Sequence, residues 1–298
     1  MSERSDEWAV QRILVALDAS YHSLAALEAA AELAASLGAE LSGLFVEDVN
    51  LLRLASSPVA REVRYPFVSA GRMDRAGMER GLRAQAVQAR RALAAACEPR
   101  RIKWSFRVTR GEVAGEVLAA ASEADLLTLG RASRPLIRQV RLGSTARAAT
   151  AQDRCSVLLL RRDMRIAPPV VVVYDGSPTA RKALAWAARL AQRKKWGFLT
   201  VLVVADARDR ARQLQLQVAH GLRRPGLVLR YRWLRSTDLP VLVHRIRAER
   251  SGVLILGGTL LPSDSLQVLV DRVDCPVLVV RRVPPDGTQA SCLPTEGD

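Results

Sequence analysis

The chain has 298 residues, 49% of them hydrophobic and 25% charged, which is enough for two ordinary domains with real cores. Its net charge of +15 attracts anions in general, but the arginines are scattered and aromatic residues, 4% of the total, rarely lie between them. We therefore expect no nucleic-acid-binding surface. The polar first twelve residues lack the apolar core of a signal peptide, and no apolar stretch could span a bilayer, so we expect a cytoplasmic protein without membrane contact.

The first elements predict a parallel sheet. Residues 12–18 (RILVALD) form a short apolar run typical of a buried strand, residues 23–38 have apolar residues at helical spacing and end in a glycine, and residues 40–48 indicate a second strand. A strand, a helix and a second strand form a unit whose strands run parallel. Residues 50–72 are predicted to be a long connection with a short helix. The pattern continues with further predicted helices at 74–97, 112–124 and 145–152, and strands at 104–111, 125–130 and 155–162.

The same plan then restarts. PVVVVYDGS (169–177) repeats RILVALDAS (12–20), and CPVLVVRR (275–282) aligns position by position with CSVLLLRR (155–162). Such an internal repeat indicates duplication. We predict a first domain at residues 1–165, a second at 166–283 and a disordered, Pro/Gly-rich tail at 284–298. Between the repeated segments 169–177 and 275–282, the second domain contains the predicted helices 178–197 and 238–250. It also contains the predicted strands 198–206, 227–235 and 251–258.

A spaced glycine motif lies in the first half (residues 1–165). Gly130 follows the fourth strand, Ser133 comes after two more residues, and after nine further residues Gly143-Ser144-Thr145 opens a helix. In open parallel sheets ligands bind beyond the carboxyl ends of the strands, where Asp18, Val46 and Gly130 fall. Glycine allows close backbone approach to a phosphate, and a helix N-terminus offers free N–H groups. The motif therefore predicts a phosphate site, although Gly143-Ser144-Thr145 alone would equally suit a helix cap and Asp18 alone a turn.

This pattern resembles the nucleotide motif of the ATP-binding branch of the universal stress protein family, with Ser133 in place of that motif's second glycine. The resemblance covers residues 10–162 well and 168–282 more loosely. It implies an α/β fold with two tandem open, mostly parallel five-stranded sheets and helices on both faces, adenine nucleotide alpha hydrolase-like or Rossmann-like, paired within the chain through the last strands. It implies ATP as ligand, with Mg²⁺ left open. The implied nucleotide-binding residues are Ala16, Asp18, Ala19, Val46, Leu129, Gly130, Ala132, Ser133, Gly143, Ser144 and Thr145.

The second half (residues 166–283) departs from the motif. Gly257-Gly258 follows its fourth strand, but no Gly-Ser/Thr pair follows at the expected distance. Gly257 and Cys275 are separated by 18 positions, whereas Gly130 and Cys155 in the first half are separated by 25. We therefore predict that the second half binds no ATP in this manner and serves as a structural partner, with residues 155–162 pairing with 275–282. The sequence leaves open whether two chains form a homodimer.

Four functions are compatible with the sequence. The first is a stress-response regulatory protein that binds one ATP and acts as a switch or adaptor. The second is a slow ATPase, since no lysine follows the glycines and no base is positioned for hydrolysis. The third is an interaction or ligand-sensing scaffold without nucleotide, and the fourth is non-specific nucleic-acid binding. The three histidines are scattered and no cysteines form a CxxC pair, so we expect no catalytic residue and no metal site.

Overall fold

The fold is described from a computed structural model. It describes residues 10–18, 20–57, 61–64, 69–72, 74–130, 143–152, 155–160, 164–193, 195–222 and 226–281. The predicted tail, 284–298, lies outside these residues.

The first half alternates strands and helices as the repeat predicts. Helix α1 is capped by Ser20, whose hydroxyl accepts from Ser23 N–H, and ends at Gly38 with φ of 72°, a conformation that favours glycine. The elements are β1 (Arg12–Leu17), α1 (Tyr21–Leu37), β2 (Glu40–Asp48), α2 (Val49–Ala55), β3 (Arg61–Arg64), β4 (Ser69–Arg72), α3 (Arg75–Cys97), β5 (Trp104–Gly111), α4 (Val113–Ala121), β6 (Leu126–Gly130), α5 (Ser144–Ala151) and β7 (Ser156–Leu160).

The second half repeats this alternation with fewer insertions. Its elements are β8 (Val170–Tyr174), α6 (Pro178–Arg193), β9 (Phe198–Val204), α7 (Arg208–Gly221), β10 (Val228–Leu234), α8 (Leu239–Ala248), β11 (Val253–Gly257), α9 (Ser263–Arg272) and β12 (Val277–Val280).

Ten strands form one sheet, in the order β10-β9-β8-β11-β12-β7-β6-β1-β2-β5. Within each half every neighbouring pair is parallel, and the five strands follow the same relative order in both halves. The halves meet at β7 and β12, which pair antiparallel with Leu158 opposite Leu278. The predicted α/β fold is therefore confirmed, with the two five-stranded sheets joined edge to edge into one.

Two strands and two helices were not predicted. The segment expected to be a connection between 50 and 72 holds the predicted short helix, α2, but also the antiparallel hairpin β3–β4. Helices α7 and α9 were missed, although each has buried apolar residues at helical spacing, such as Leu266, Leu269 and Val270 of α9. These helices also contain many polar residues, which is why their apolar stripe is easily overlooked.

The core has two layers, one on each face of the sheet, and both layers run through both halves. One layer lies between the sheet and the helices α1, α3, α6 and α7, and the other lies under α4, α5, α8 and α9. All five residues of β7 and all four of β12 are buried, so the seam between the halves is covered on both faces. A strand buried on both faces is a nearly continuous apolar run, which accounts for the residues VLLL at 157–160.

Because the seam belongs to both cores, its side chains should stabilise the whole chain. We expect Leu158→Ala to lower the free energy of unfolding by roughly 2–5 kcal/mol, as large-to-small changes in well-packed cores do. Leu158 is fully buried, whereas Leu54 in α2 is 51% exposed, so Leu54→Ala should cost no more than about 0.5 kcal/mol. Urea unfolding followed by circular dichroism measures both values. Equal effects of the two substitutions would contradict a seam that both halves depend on.

Candidate functional site

Three of the predicted nucleotide-binding residues lie on one face of the sheet. Leu129 is buried in the core layer under α4 and α5, and Ala16 and Val46 are partly buried and pack against the same layer. Their strands are neighbours, since β1 pairs with β2 on one side and with β6 on the other. The three residues therefore line the carboxyl ends of adjacent parallel strands, on the side that α5 covers.

Asp18 lies directly after β1 at the same edge. Its Oδ1 accepts a hydrogen bond from Ser20 N–H at 2.9 Å, and Ser23 Oγ lies 3.4 Å from its backbone N–H. Partial desolvation raises the pKa of Asp18, but the hydrogen bonds from Ser20 and Ser23 more than offset it and leave this pKa below its usual value. In the second half Asp175 accepts from Ser177 N–H in the same way, also at 2.9 Å. The aspartate thus has a turn-forming role in both halves.

Gly130 ends β6 in close contact with the first turn of α1. A Cβ atom at this position would lie 2.5 Å from the carbonyl oxygen of His22, so no side chain fits without displacing backbone. Gly257 occupies the equivalent place after β11, where a Cβ atom would lie 2.6 Å from Thr179 Oγ1. Helix–strand packing therefore requires a glycine at this position in both halves. Gly130 alone does not distinguish a nucleotide site from a packing contact.

Gly143 has no such packing reason. It is the N-cap of α5 with φ of −59° and ψ of 160°, which any residue can adopt, and no described atom lies within 4 Å of the place where its Cβ would be. As a glycine, this N-cap residue supplies no side-chain cap to the helix. Ser144 is exposed and Thr145 partly exposed. Among the described residues, the N-terminus of α5 therefore presents backbone N–H groups and two hydroxyl-bearing side chains, with no described atom over the Cβ position of Gly143.

The topology brings this helix end to the edge where Gly130 lies. Helix α5 leads directly into β7, and β7 runs parallel to β6 with Leu160 beside Gly130. A helix that returns the chain to the start of β7 runs antiparallel to the strands, so its first residues lie at the carboxyl edge. The structure thus places Ala16, Asp18, Val46, Leu129, Gly130, Gly143, Ser144 and Thr145 around one edge of the sheet. The predicted site residues Ala19, Ala132 and Ser133 lie outside the described residues.

His22 is a neighbour of this edge that no motif indicated. Its backbone carbonyl and its Cβ are the atoms closest to Gly130. Its Nδ1 is buried and has no hydrogen-bond partner among the described residues. The only signal in the sequence was its position in the first turn of the helix after the first strand.

The equivalent edge of the second half is filled by protein. The side chain of Arg281 lies across Gly258, where a Cβ atom would be only 2.4 Å from its Cδ. Thr259 is hydrogen-bonded to Thr179 at 2.7 Å between the two hydroxyl oxygens, and Leu261 is buried. Helix α9 has Pro262 at its N-cap in the place that Gly143 has in α5. The shorter connection after β11 is therefore packed against the domain.

The described residues were compared with what a metal site, a membrane span and a reactive thiol each require. These residues contain no group of three or more His, Cys, Asp or Glu side chains that could hold a metal ion. None of their helices has both the length and the apolar character needed to cross a membrane. Cys97, Cys155 and Cys275 are buried as free thiols, and burial raises the pKa of Cys97 to about 11 and that of Cys155 to about 12. Thiols with such a raised pKa are poor nucleophiles at neutral pH.

Comparison with solved structures identifies the fold. A universal stress protein from Archaeoglobus fulgidus DSM 4304 is 17% identical, with 91% of this chain and 98% of that chain covered and a TM-score of 0.68. A putative universal stress protein from Pseudomonas aeruginosa UCBPP-PA14 is 14% identical, with 93% and 95% covered and a TM-score of 0.57. A protein of unknown function from Pseudomonas aeruginosa PAO1 is 15% identical, with 94% and 95% covered and a TM-score of 0.51.

Comparison of the sequence identifies the family. No curated protein sequence matches the chain at a significant level. The model of the universal stress protein family matches residues 9–161 and 168–227, which is more than half of the chain and includes segments of both halves. The chain therefore belongs to the universal stress protein family.

Proposed function

We propose that this protein binds one ATP per chain, at the edge of the first half, and acts as a nucleotide-dependent switch or adaptor in a stress response. The observation that carries the proposal is Gly143. Among the described residues nothing packs against Gly143 closely enough to require a glycine, its backbone conformation is open to any residue, and it stands at the N-terminus of α5. A phosphate group that approaches this backbone closely would explain why position 143 is a glycine.

The residues at this edge suit the parts of ATP. The N–H groups of α5 and the hydroxyls of Ser144 and Thr145 are donors for phosphate oxygens, and the helix dipole favours negative charge there. Ala16 and Val46 offer a partly buried apolar surface for the adenine ring. Asp18, which its hydrogen bonds keep ionised at neutral pH, is an acceptor for a ribose hydroxyl or the adenine amino group. Mg²⁺, where present, would be held mainly by the phosphates.

The second half supports the proposal by contrast. Its strand-end aspartate and glycine are present, but Arg281, Thr259 and Leu261 fill the edge and Pro262 replaces the glycine of α5. We therefore propose a single site and assign the second half, residues 166–283, a structural role beside the first domain, residues 1–165. Hydrolysis should be slow, because no lysine follows the glycines of the motif. The cytoplasmic location stays a prediction.

A charge at Gly143 tests the site directly. We expect Gly143→Asp to raise the Kd for ATP at least about 100-fold, because a carboxylate would stand where the phosphate binds. Aspartate is a favoured N-cap residue and meets no described atom here, so the free energy of unfolding should stay within roughly 0.5 kcal/mol of the wild type or rise. Calorimetry measures the Kd and the stoichiometry, which should be one. A stoichiometry of two, or an unchanged Kd, would overturn the assignment.

A matched pair of variants separates the site from a general charge effect. Ser144 and Ser263 are the first residues of the equivalent helices α5 and α9. Ser144→Asp should weaken ATP binding at least about tenfold. Ser263→Asp adds the same charge to the same helix position in the second half and should leave the Kd unchanged. If the two variants weaken binding equally, only the net charge of the protein attracts ATP.

A second pair separates the two motif glycines. Gly130→Ala should lower the free energy of unfolding by roughly 1–3 kcal/mol, because its Cβ would overlap the His22 carbonyl. Gly143→Ala should leave this free energy within about 0.5 kcal/mol and raise the Kd for ATP roughly tenfold. Thermal unfolding and calorimetry give the two quantities. A Gly143→Ala variant with unaltered affinity would show that no phosphate lies against this glycine.

A further inference from the structure

One residue of the second half reaches into the first half. Arg281 follows β12 and is only 5% exposed. Its backbone N–H donates to Ser156 Oγ at 3.1 Å, its NH1 group donates to Gly258 O at 3.1 Å, and its NH2 group donates to Thr150 O. Ser156 and Thr150 belong to the first half. The guanidinium therefore joins Gly258, the residue directly after β11, to a helix of the other half.

The helix it reaches is α5. Thr150 lies in the last turn of α5, where backbone carbonyls have no partner within the helix. An arginine at this end satisfies such a carbonyl and is favoured by the helix dipole. The hydrogen bond joins a charged donor to a buried acceptor, which makes it stronger than a neutral one. The opposite end of this eight-residue helix is the proposed phosphate site, about 12 Å away.

Arg281 is itself held in place from the second half. Lys182 of α6 is buried, and its Nζ donates to the backbone carbonyl of Arg281 at 3.1 Å. The same Nζ lies 5.2 Å from the centre of the Trp186 ring, also in α6. The absence of a side chain at Gly258 leaves room for the arginine. The contact with α5 is therefore made by a fixed group and not by a mobile surface side chain.

We propose that Arg281 is a positioning residue through which the second half holds α5, and with it Gly143 and Ser144, in the orientation that binds the nucleotide. The inference rests on the proposed function for its effect on ATP. The second half then contributes to the site without touching the ligand. By linkage, ATP bound at the start of α5 also stabilises the contact between α5 and Arg281.

The test uses the full chain and the variant Arg281→Met, which keeps a long side chain but removes the guanidinium. Arg247→Met is the matched control, because the NH2 group of Arg247 donates to Arg272 O at the end of the equivalent helix α9. Hydrogen exchange without nucleotide reports on α5 itself. In Arg281→Met the amides of residues 147–151 should exchange roughly tenfold faster, and the Kd for ATP should rise about 5- to 20-fold. In Arg247→Met both quantities should match the wild type.

A second variant keeps the arginine and displaces it. The Cβ of Gly258→Ala would lie 2.4 Å from Arg281 Cδ and push the side chain away from Thr150, so this variant should speed exchange in α5 in the same way. It also serves as the test if Arg281→Met does not fold. A loss of global stability alone would speed exchange throughout the core and would not change the Kd at temperatures where the chain stays folded.

The outcomes separate the two proposals. Unchanged exchange in α5 in both variants overturns the positioning role, whatever ATP does. Faster exchange confined to α5 together with an unchanged Kd shows that Arg281 holds the helix but not the site, and this also overturns the inference. If the wild type binds no ATP, the proposed function fails, and exchange in α5 alone then decides whether Arg281 positions this helix.

Discussion

The antiparallel contact between β7 and β12 is the interaction on which the rest of the structure depends. Each of these strands would otherwise be the exposed edge of a five-stranded sheet, with unpaired backbone groups and apolar side chains on both faces. Pairing them satisfies the backbone groups and joins the two core layers across the chain. Neither half is therefore complete alone. The seam also brings α5 and α9 into contact, which is why a residue at the end of β12 can reach α5.

The two halves share a fold but differ at the carboxyl ends of their strands. Both keep the aspartate turn after the first strand and the glycine at the end of the fourth, since both features serve packing. They differ in the connection that comes after this glycine. In the first half a longer connection leads to a helix whose N-cap, Gly143, has no described atom within 4 Å of its Cβ position, whereas in the second half a shorter one packs Leu261 and Thr259 onto the domain. The features shared by the two halves are thus the ones that packing requires, and the halves differ in the connection where ATP binding is proposed.

The inner strands β6, β7, β8, β11 and β12 were predictable because short, mainly apolar runs between turn residues have few alternatives in an α/β chain, whereas the outer strands β5 and β10 alternate polar and apolar residues. The hairpin β3–β4 and helices α7 and α9 were not, because their polar content hides the periodicity. The sequence predicted which residues gather at one edge of the sheet, and their binding of ATP stays a prediction. A sequence cannot show that Gly130 is required by the His22 carbonyl while Gly143 has no described atom near its Cβ position, since both are glycines in one motif. Only the space around each Cβ distinguishes them.

Helix α5 illustrates why such a short element can link the halves. Its N-terminal amides attract anions and its C-terminal carbonyls attract cations, so the proposed phosphate and the Arg281 guanidinium would stabilise the same helix from its two ends. With only eight residues it has little internal hydrogen bonding, and both ends matter for its order. Arg281 is buried, so salt screens its contact with Thr150 far less than it screens the many exposed arginines. Arg281 and Lys182 are the buried basic residues among those described, and of the two only Arg281 contacts α5.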